Sequence, residues 1–426
     1  MPSLFSRSLS ADSMGPMEKR VQGAPTRQLW AEFLFSRVLV FVVARAELGD
    51  MPGYFESVSR WIAKGSPYGE GGFGYPALAF LFVSIPRLLG AAKFDLYYPI
   101  FRAQCFAVDA FLFWLLSRRC SRQSLLVYIL ATALLPNLLY HRLDILLGFF
   151  LVVALVLEAR GLWKLASLTL GLSIAFKIIP VFLLPAWLLW TMRRSLRGAF
   201  VALGFVALGA GGPVGVAYAL WGKDAVFFMG AHAARGLQIE SLWASIQIVL
   251  MEFGLAGKTY FSSGSYNLST SIEGAFTTAS HIAALAAALW GGVIAVRLAR
   301  RGGPLILALS STLSALILAS KVFSPQYLLF FLPVLAWSLD TMGPRLRRVV
   351  MALAVASCAL TTWVYPYHEK QLVALSAVAT VPLVARNALF AALVVLLQVH
   401  AWRWRSPERD KIGVQEGMKP SAGEGP

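Results

Sequence analysis

Several ionisable side chains in this sequence stand where charge is costly. Lys177 is the sharpest case, set in Ser-Ile-Ala-Phe-Lys-Ile-Ile-Pro with apolar residues on both sides. A charge at membrane depth costs roughly 2.5–3.5 kcal/mol on insertion scales, and it persists mostly where it faces a cavity or a partner. Lys177 therefore reads either as a lysine snorkelling from a helix end or as a cation for an anionic ligand. Lys321, in Ser-Lys-Val-Phe-Ser-Pro-Gln-Tyr, poses the same choice. Other polar groups cluster near the ends of apolar runs: Asp50 and Tyr54; Tyr68 and Tyr75; His141, Arg142 and Asp144; His232, Arg235, Gln238 and Glu240; Gln326 and Tyr327; Tyr367, His368 and Glu369. Arg142 and Asp144 are two apart and would not share a helix face. Their blandest interpretation is a loop salt bridge.

A mixed acidic and basic face of this kind suits transfer of a sugar from a lipid phosphate. Such a reaction needs a carboxylate to take the proton of an attacking hydroxyl. It needs cations to hold the departing phosphate as charge builds on it. It also needs water kept out, or the donor hydrolyses. Lys177 and Lys321, and with them Arg235, are candidate cations for that phosphate, whereas Asp50 taken alone reads as a solvated loop carboxylate. Tyr54, Tyr68, Arg142, Asp144, His232, Gln238, Glu240 and Gln326 are candidates for orienting sugar or acceptor. Two alternatives stay open. A transporter or flippase of a lipid-linked sugar, or of another anion, would also use embedded cations, but it more often shows paired broken helices in matching halves. No tandem or inverted repeat is evident. A scaffold without chemistry would leave Asp50, Lys177 and Arg235 individually dispensable.

These groups must be positioned by membrane helices. The 426 residues are 58% hydrophobic and only 14% charged, against about 25% charged in a soluble domain. The formal net charge of +17 is not spread as a nucleic-acid stripe. It falls in short clusters between apolar runs, at Arg118–Arg122, Arg193–Arg197, Arg297–Arg301, Arg345–Arg348 and Arg403–Arg405, as in cytoplasmic loops. Cys105, Cys120 and Cys358 lack metal spacing, no Asp-x-Asp pair is clear, and a requirement for a divalent cation stays open. The expectation is an all-α polytopic bundle of about twelve spans. Residues 1–28 are expected as a disordered cytoplasmic tail, 29–402 as the membrane domain and 403–426 as a second tail. The segment 76–92, broken by Pro76 and Pro86, is kept at the outer interface because this puts every later basic cluster inside. Tyr54–Ala63 is expected to lie amphipathically on the surface, and 241–253 to be re-entrant or interfacial.

Asp50-x-x-x-Tyr54, Lys-Gly-Ser-Pro-Tyr at 64–68, and Tyr75-Pro76 together resemble the first outer loop of GT-C glycosyltransferases. The similarity is greatest to family 87, the polyprenyl-phosphate-mannose-dependent group. His141-Arg142-Leu-Asp144, Phe176-Lys177-Ile-Ile-Pro180, Arg235-Gly-Leu-Gln238-Ile-Glu240-Ser241 and Ser320-Lys321-Val-Phe-Ser-Pro325-Gln326-Tyr327 follow in order. This resemblance implies a bundle with interfacial helices in the first outer loop, a catalytic base at the carboxylate Asp50, and a polyprenyl-phosphate sugar donor, often mannose. It also implies inversion at the anomeric carbon, a glycolipid or glycan acceptor, and an active site on the non-cytoplasmic face of a plasma or inner membrane. Many members carry Tyr-Pro-Pro where this chain has Tyr75-Pro76-Ala77.

Overall fold

The computed structural model describes residues 27–44, 48–69, 72–226, 228–230 and 235–405. His232 and nearly all of both expected tails lie outside the described residues. Apolar runs that face lipid must satisfy their own backbone groups, which selects helices. In chain order these are α1 (Arg27–Val43), α2 (Met51–Lys64), α3 (Ala77–Leu88), α4 (Phe94–Ser117), α5 (Arg122–Ala133), α6 (Pro136–Leu139), α7 (Asp144–Ala159), α8 (Trp163–Phe176), α9 (Leu184–Thr191), α10 (Leu196–Trp221) and α11 (Leu242–Met251). They continue as α12 (Glu273–Arg300), α13 (Leu305–Ala319), α14 (Tyr327–Ser338), α15 (Pro344–Thr362), α16 (Glu369–Val373) and α17 (Ala377–Arg403).

Among the described residues, five segments are long and apolar enough to cross a membrane: Phe94–Ser117, Leu196–Val226, Glu273–Arg300, Pro344–Tyr367 and Ala377–Arg403. A count of twelve spans goes beyond what these lengths support. α3 has 12 residues, about 18 Å of rise, well short of a ~30 Å hydrocarbon core. α11 has 10 residues and is shorter still. α2 is amphipathic, burying Met51, Tyr54, Ser57 and Val58 on one face, and it ends at Gly65, whose φ of 78° lies in the left-handed region.

The all-helical expectation needs one addition. Gly257–Ser262 (β1) and Ser265–Thr270 (β2) form an antiparallel hairpin between α11 and α12, in register from Gly257 opposite Thr270 to Ser262 opposite Ser265. Lys258-Thr-Tyr-Phe and Ser265-Tyr-Asn-Leu are rich in β-branched and aromatic residues and flank a Gly-containing turn, a pattern that favours pairing.

Two packing features fix the bundle. α8 and α10 touch backbone to backbone: a Cβ on Gly171 would lie 2.2 Å from the Val206 carbonyl oxygen, and one on Gly209 would lie 2.3 Å from that of Leu168. Small residues permit such approaches where no hydrophobic force acts between helices in lipid. A buried ion pair ties α1 to α4, with Arg37 Nε 2.7 Å from Asp109 Oδ2. Tyr140 Oη donates to Asp109 Oδ2 at 2.7 Å, and Arg37 Nη2 donates to Thr132 at 2.9 Å. With both charges fully partnered, this network is a structural clasp and not a ligand site. α14 is buried almost all round, as expected of a central helix. Its start, the start of α7 and the end of α8 meet at one end of the bundle.

Candidate active site

That meeting point opens into a cavity of 710 Å³ lined by Asp50, Arg142, Lys177, Arg235, Gln238 and Glu240, among others. Asp50 precedes α2 and follows Gly49, whose φ of +56° is left-handed. A Cβ on Gly49 would press on His141 and on Arg142 Nε, at 3.3 and 3.4 Å. Glycine therefore lets the chain turn closely past Arg142. The Arg142 guanidinium pairs with Asp50 Oδ1 through Nη1 and donates through Nη2 to Tyr365 Oη at 2.9 Å. The other carboxylate oxygen, Oδ2, accepts from Tyr54 Oη and Tyr75 Oη, each at 3.3 Å. The Asp50 side chain remains 34% exposed. An oriented carboxylate with an open face can receive a proton from an incoming hydroxyl.

The second carboxylate is held differently. Lys177 Nζ lies 2.6 Å from Asp144 Oδ1, and the two side chains are only 6% and 1% exposed. The ammonium also sits 4.9 Å from the Tyr327 ring centroid. Asp144 is thus committed behind Lys177, while the Lys177 head still reaches the cavity wall.

The third wall is the segment 235–241, fixed on several sides. The Gln238 amide donates to the Lys321 carbonyl at 3.1 Å and the Ile239 amide to that of Tyr266 at 3.1 Å, while the Leu237 carbonyl accepts from the Leu268 amide at 2.9 Å. Lys321 Nζ donates to the Arg235 carbonyl at 2.6 Å. Arg386 Nη2 and Asn387 Nδ2, from α17, donate to the Glu240 carbonyl at 2.9 and 3.2 Å. This bracing points Arg235 into the cavity, and its Nε is buried without a hydrogen-bond partner among the described residues. Gln238 Nε2 donates to Glu240 Oε2 at 2.9 Å. Burial pushes the Glu240 carboxyl up to about 7; Glu369 adds to the shift, while Arg386 and Arg142 oppose it.

Of the residues singled out from the sequence, Asp50, Tyr54, Arg142, Lys177, Arg235, Gln238, Glu240 and Gln326 line one cavity. Asp144 and Lys321 stand one layer behind, bonded to Lys177 and to the Arg235 backbone. The Lys321 head thus braces the wall and is not among the cavity-lining residues. Tyr68 is turned away and packs against Phe73 and Trp221, with ring centroids 6.2 and 5.6 Å apart. It is not among the residues that line the cavity. Three contributors were not singled out from the sequence. Tyr365 holds Arg142, and the hairpin tip at Ser263–Tyr266 closes one side of the cavity. Arg386 and Asn387 brace Glu240, and an Arg-Asn pair inside an apolar run was the available signal. Among the described residues, no three His, Cys, Asp or Glu side chains gather as a metal site would require.

The sequence characteristic of glycosyltransferase family 87 matches residues 73–325, more than half of the chain. The chain belongs to glycosyltransferase family 87. No curated protein matches it. As a family 87 member whose long apolar helices number five among the described residues, the protein is a multi-pass integral membrane glycosyltransferase. The matched stretch carries Tyr75, Arg142, Asp144, Lys177, Arg235 and Lys321. Asp50 lies ahead of it and is joined to it by Arg142 and Tyr75.

Proposed function

We propose that this family 87 glycosyltransferase moves a sugar, mannose by resemblance, from a polyprenyl-phosphate donor to a hydroxyl of a glycolipid or glycan, with inversion. The acceptor hydroxyl gives its proton to the Asp50 carboxylate as its oxygen attacks the anomeric carbon. The bond from that carbon to the phosphate oxygen breaks, and its electron pair leaves with polyprenyl phosphate. Arg235 and Lys177 hold the phosphate, and Arg142 keeps Asp50 turned toward the attacking oxygen. Gln238, Glu240 and Gln326 offer hydrogen bonds to sugar hydroxyls.

The observation that carries this is the sharing of one cavity by an open carboxylate, Asp50, and two cations, Lys177 and Arg235. Asp144 is a poorer base because its charge is locked to Lys177. An open carboxylate, Asp50, sharing the cavity with Lys177 and Arg235 suits one displacement at carbon, hence inversion. The non-cytoplasmic location is supported by α12. Glu273 at its start accepts from Tyr260 of the hairpin at 3.0 Å, while Arg297, Arg300 and Arg301 lie at its far end, the basic side under the positive-inside rule.

The test is release of polyprenyl phosphate from polyprenyl-phosphate mannose by the purified protein in detergent, with candidate glycolipid acceptors. Acceptor-dependent release with a product of inverted configuration is expected. Absence of release with every acceptor would leave a carrier as the better account.

A further inference from the structure

A second pocket lies at the opposite end of α12 from the active-site cavity. It encloses 390 Å³ between Leu189, Val293, Val296 and Trp402, and its remaining lining residues are Arg297, Arg300 and Arg301. The described residues that line it thus carry three guanidinium groups and no acid. The helix C-terminus adds a partial negative charge of about one half, which three full charges outweigh. Two of the arginines are braced: Arg297 Nε donates to the Trp402 carbonyl at 2.7 Å, and Arg301 Nη1 donates to that of Trp404 at 3.2 Å. Arg297 also lies over the Trp402 ring, 4.0 Å from its centroid, and that ring stacks on Trp290 at 5.2 Å. Arg297 and Arg301 are each braced through one N–H group and stay part-exposed, while Arg300 is exposed.

Depth decides what such a pocket can bind. α12 has 28 residues, a rise of about 42 Å, which matches a bilayer with its headgroup layers at roughly 40–45 Å. With the start of α12 tied to the hairpin at the active site, the arginines fall in the opposite headgroup layer. Indole rings are typical of that layer, and the pocket's apolar wall (Leu189, Val293, Val296) runs toward the hydrocarbon. Guanidinium forks match phosphate oxygens.

We infer that this pocket binds an anionic phospholipid from the cytoplasmic leaflet, its phosphate on Arg297, Arg300 and Arg301 and one acyl chain along the wall formed by Val293 and Val296. The site is separate from the glycosyl-transfer cavity and does not depend on what that cavity transfers.

The test uses the full chain in detergent, titrated with cardiolipin, phosphatidylglycerol, phosphatidylcholine or inorganic phosphate, and read by native mass spectrometry and thermal unfolding. The two anionic lipids should remain bound and raise the unfolding midpoint by several degrees over phosphatidylcholine. Inorganic phosphate at millimolar concentration should not. Arg300→Gln with Arg301→Gln should weaken anionic-lipid binding at least tenfold. So should Val293→Asp, which places a repelling carboxylate on the exposed wall without touching an arginine. Arg345→Gln with Arg348→Gln, in a different basic loop, should bind as the wild type does. Equal stabilisation by phosphatidylcholine, an equal effect of inorganic phosphate, or equal loss in the Arg345/Arg348 control would each overturn the assignment.

Discussion

Removing Lys177 should damage the protein in a way that removing its partner repairs. The Lys177–Asp144 pair is nearly sealed from solvent, at 6% and 1% exposure. Lys177→Met would leave a carboxylate buried without its cation, and Asp144→Leu would leave an ammonium buried against aromatic rings. Breaking a buried pair from one side costs about 3–5 kcal/mol, whereas replacing both partners by apolar groups of similar volume is often close to neutral. Each single variant should therefore lower the unfolding midpoint in detergent by about 5 °C or more. The double variant should recover most of that loss, giving a coupling energy of at least ~2 kcal/mol in a double-mutant cycle. Transfer activity should part company with stability, because the refolded double variant still lacks one of the two cations proposed to hold the donor phosphate. If the two single effects simply add, within ~0.5 kcal/mol, the pair does not act as a unit and the account of this wall is wrong. If the stable double variant transfers sugar at the wild-type rate, Lys177 has no part in holding donor.

Other expectations follow from the same geometry. Glu240 holds its proton up to about 7 in the folded protein, against an ordinary value of 4.5, so the native state binds more protons than the unfolded chain between these values. Its contribution to stability should accordingly fall as pH rises from 4.5 to 7 and level off above, by on the order of 3 kcal/mol. Glu240→Gln should flatten that part of the melting-temperature profile. Gly49→Ala adds a methyl group at a φ of +56° beside Arg142, so it should cost about 1–2 kcal/mol and lower kcat more than donor KM, as Asp50 is displaced; unchanged kinetics would remove Gly49 from this positioning role. Gly171→Leu should prevent α8 from meeting α10 and abolish recovery of folded protein from the membrane, whereas Gly204→Leu, in open space on α10, should be tolerated.

The sequence made the inventory of the site legible but not its layering. Lys177 stood out as a charge in apolar company and Asp144 read as a loop partner of Arg142, yet nothing in a linear chain says that Lys177 and Asp144 neutralise each other while Asp50, 94 positions before Asp144, stays open. Lys321 and Arg235 looked equivalent as cations. Only the fold shows one head bonded to the other's backbone. Tyr54 and Tyr68 looked alike because an aromatic in a polar loop reads the same whether it lines a cavity or packs on a Trp. Among the described residues, five segments are long and apolar enough to cross, so a count of about twelve rests on shorter apolar runs whose rise falls below a full span. The hairpin was hidden by its setting in a long polar region, although its alternation and turn residues were visible.

The central claim is that Asp50 is the base. The most direct measurement is the single-turnover rate of polyprenyl phosphate release in Asp50→Asn, at saturating donor and acceptor, with donor binding measured separately. Loss of the base should cut that rate by about 10²–10⁴, with donor affinity and the unfolding midpoint within twofold and a few degrees of wild type. A rate within threefold of wild type would contradict the account.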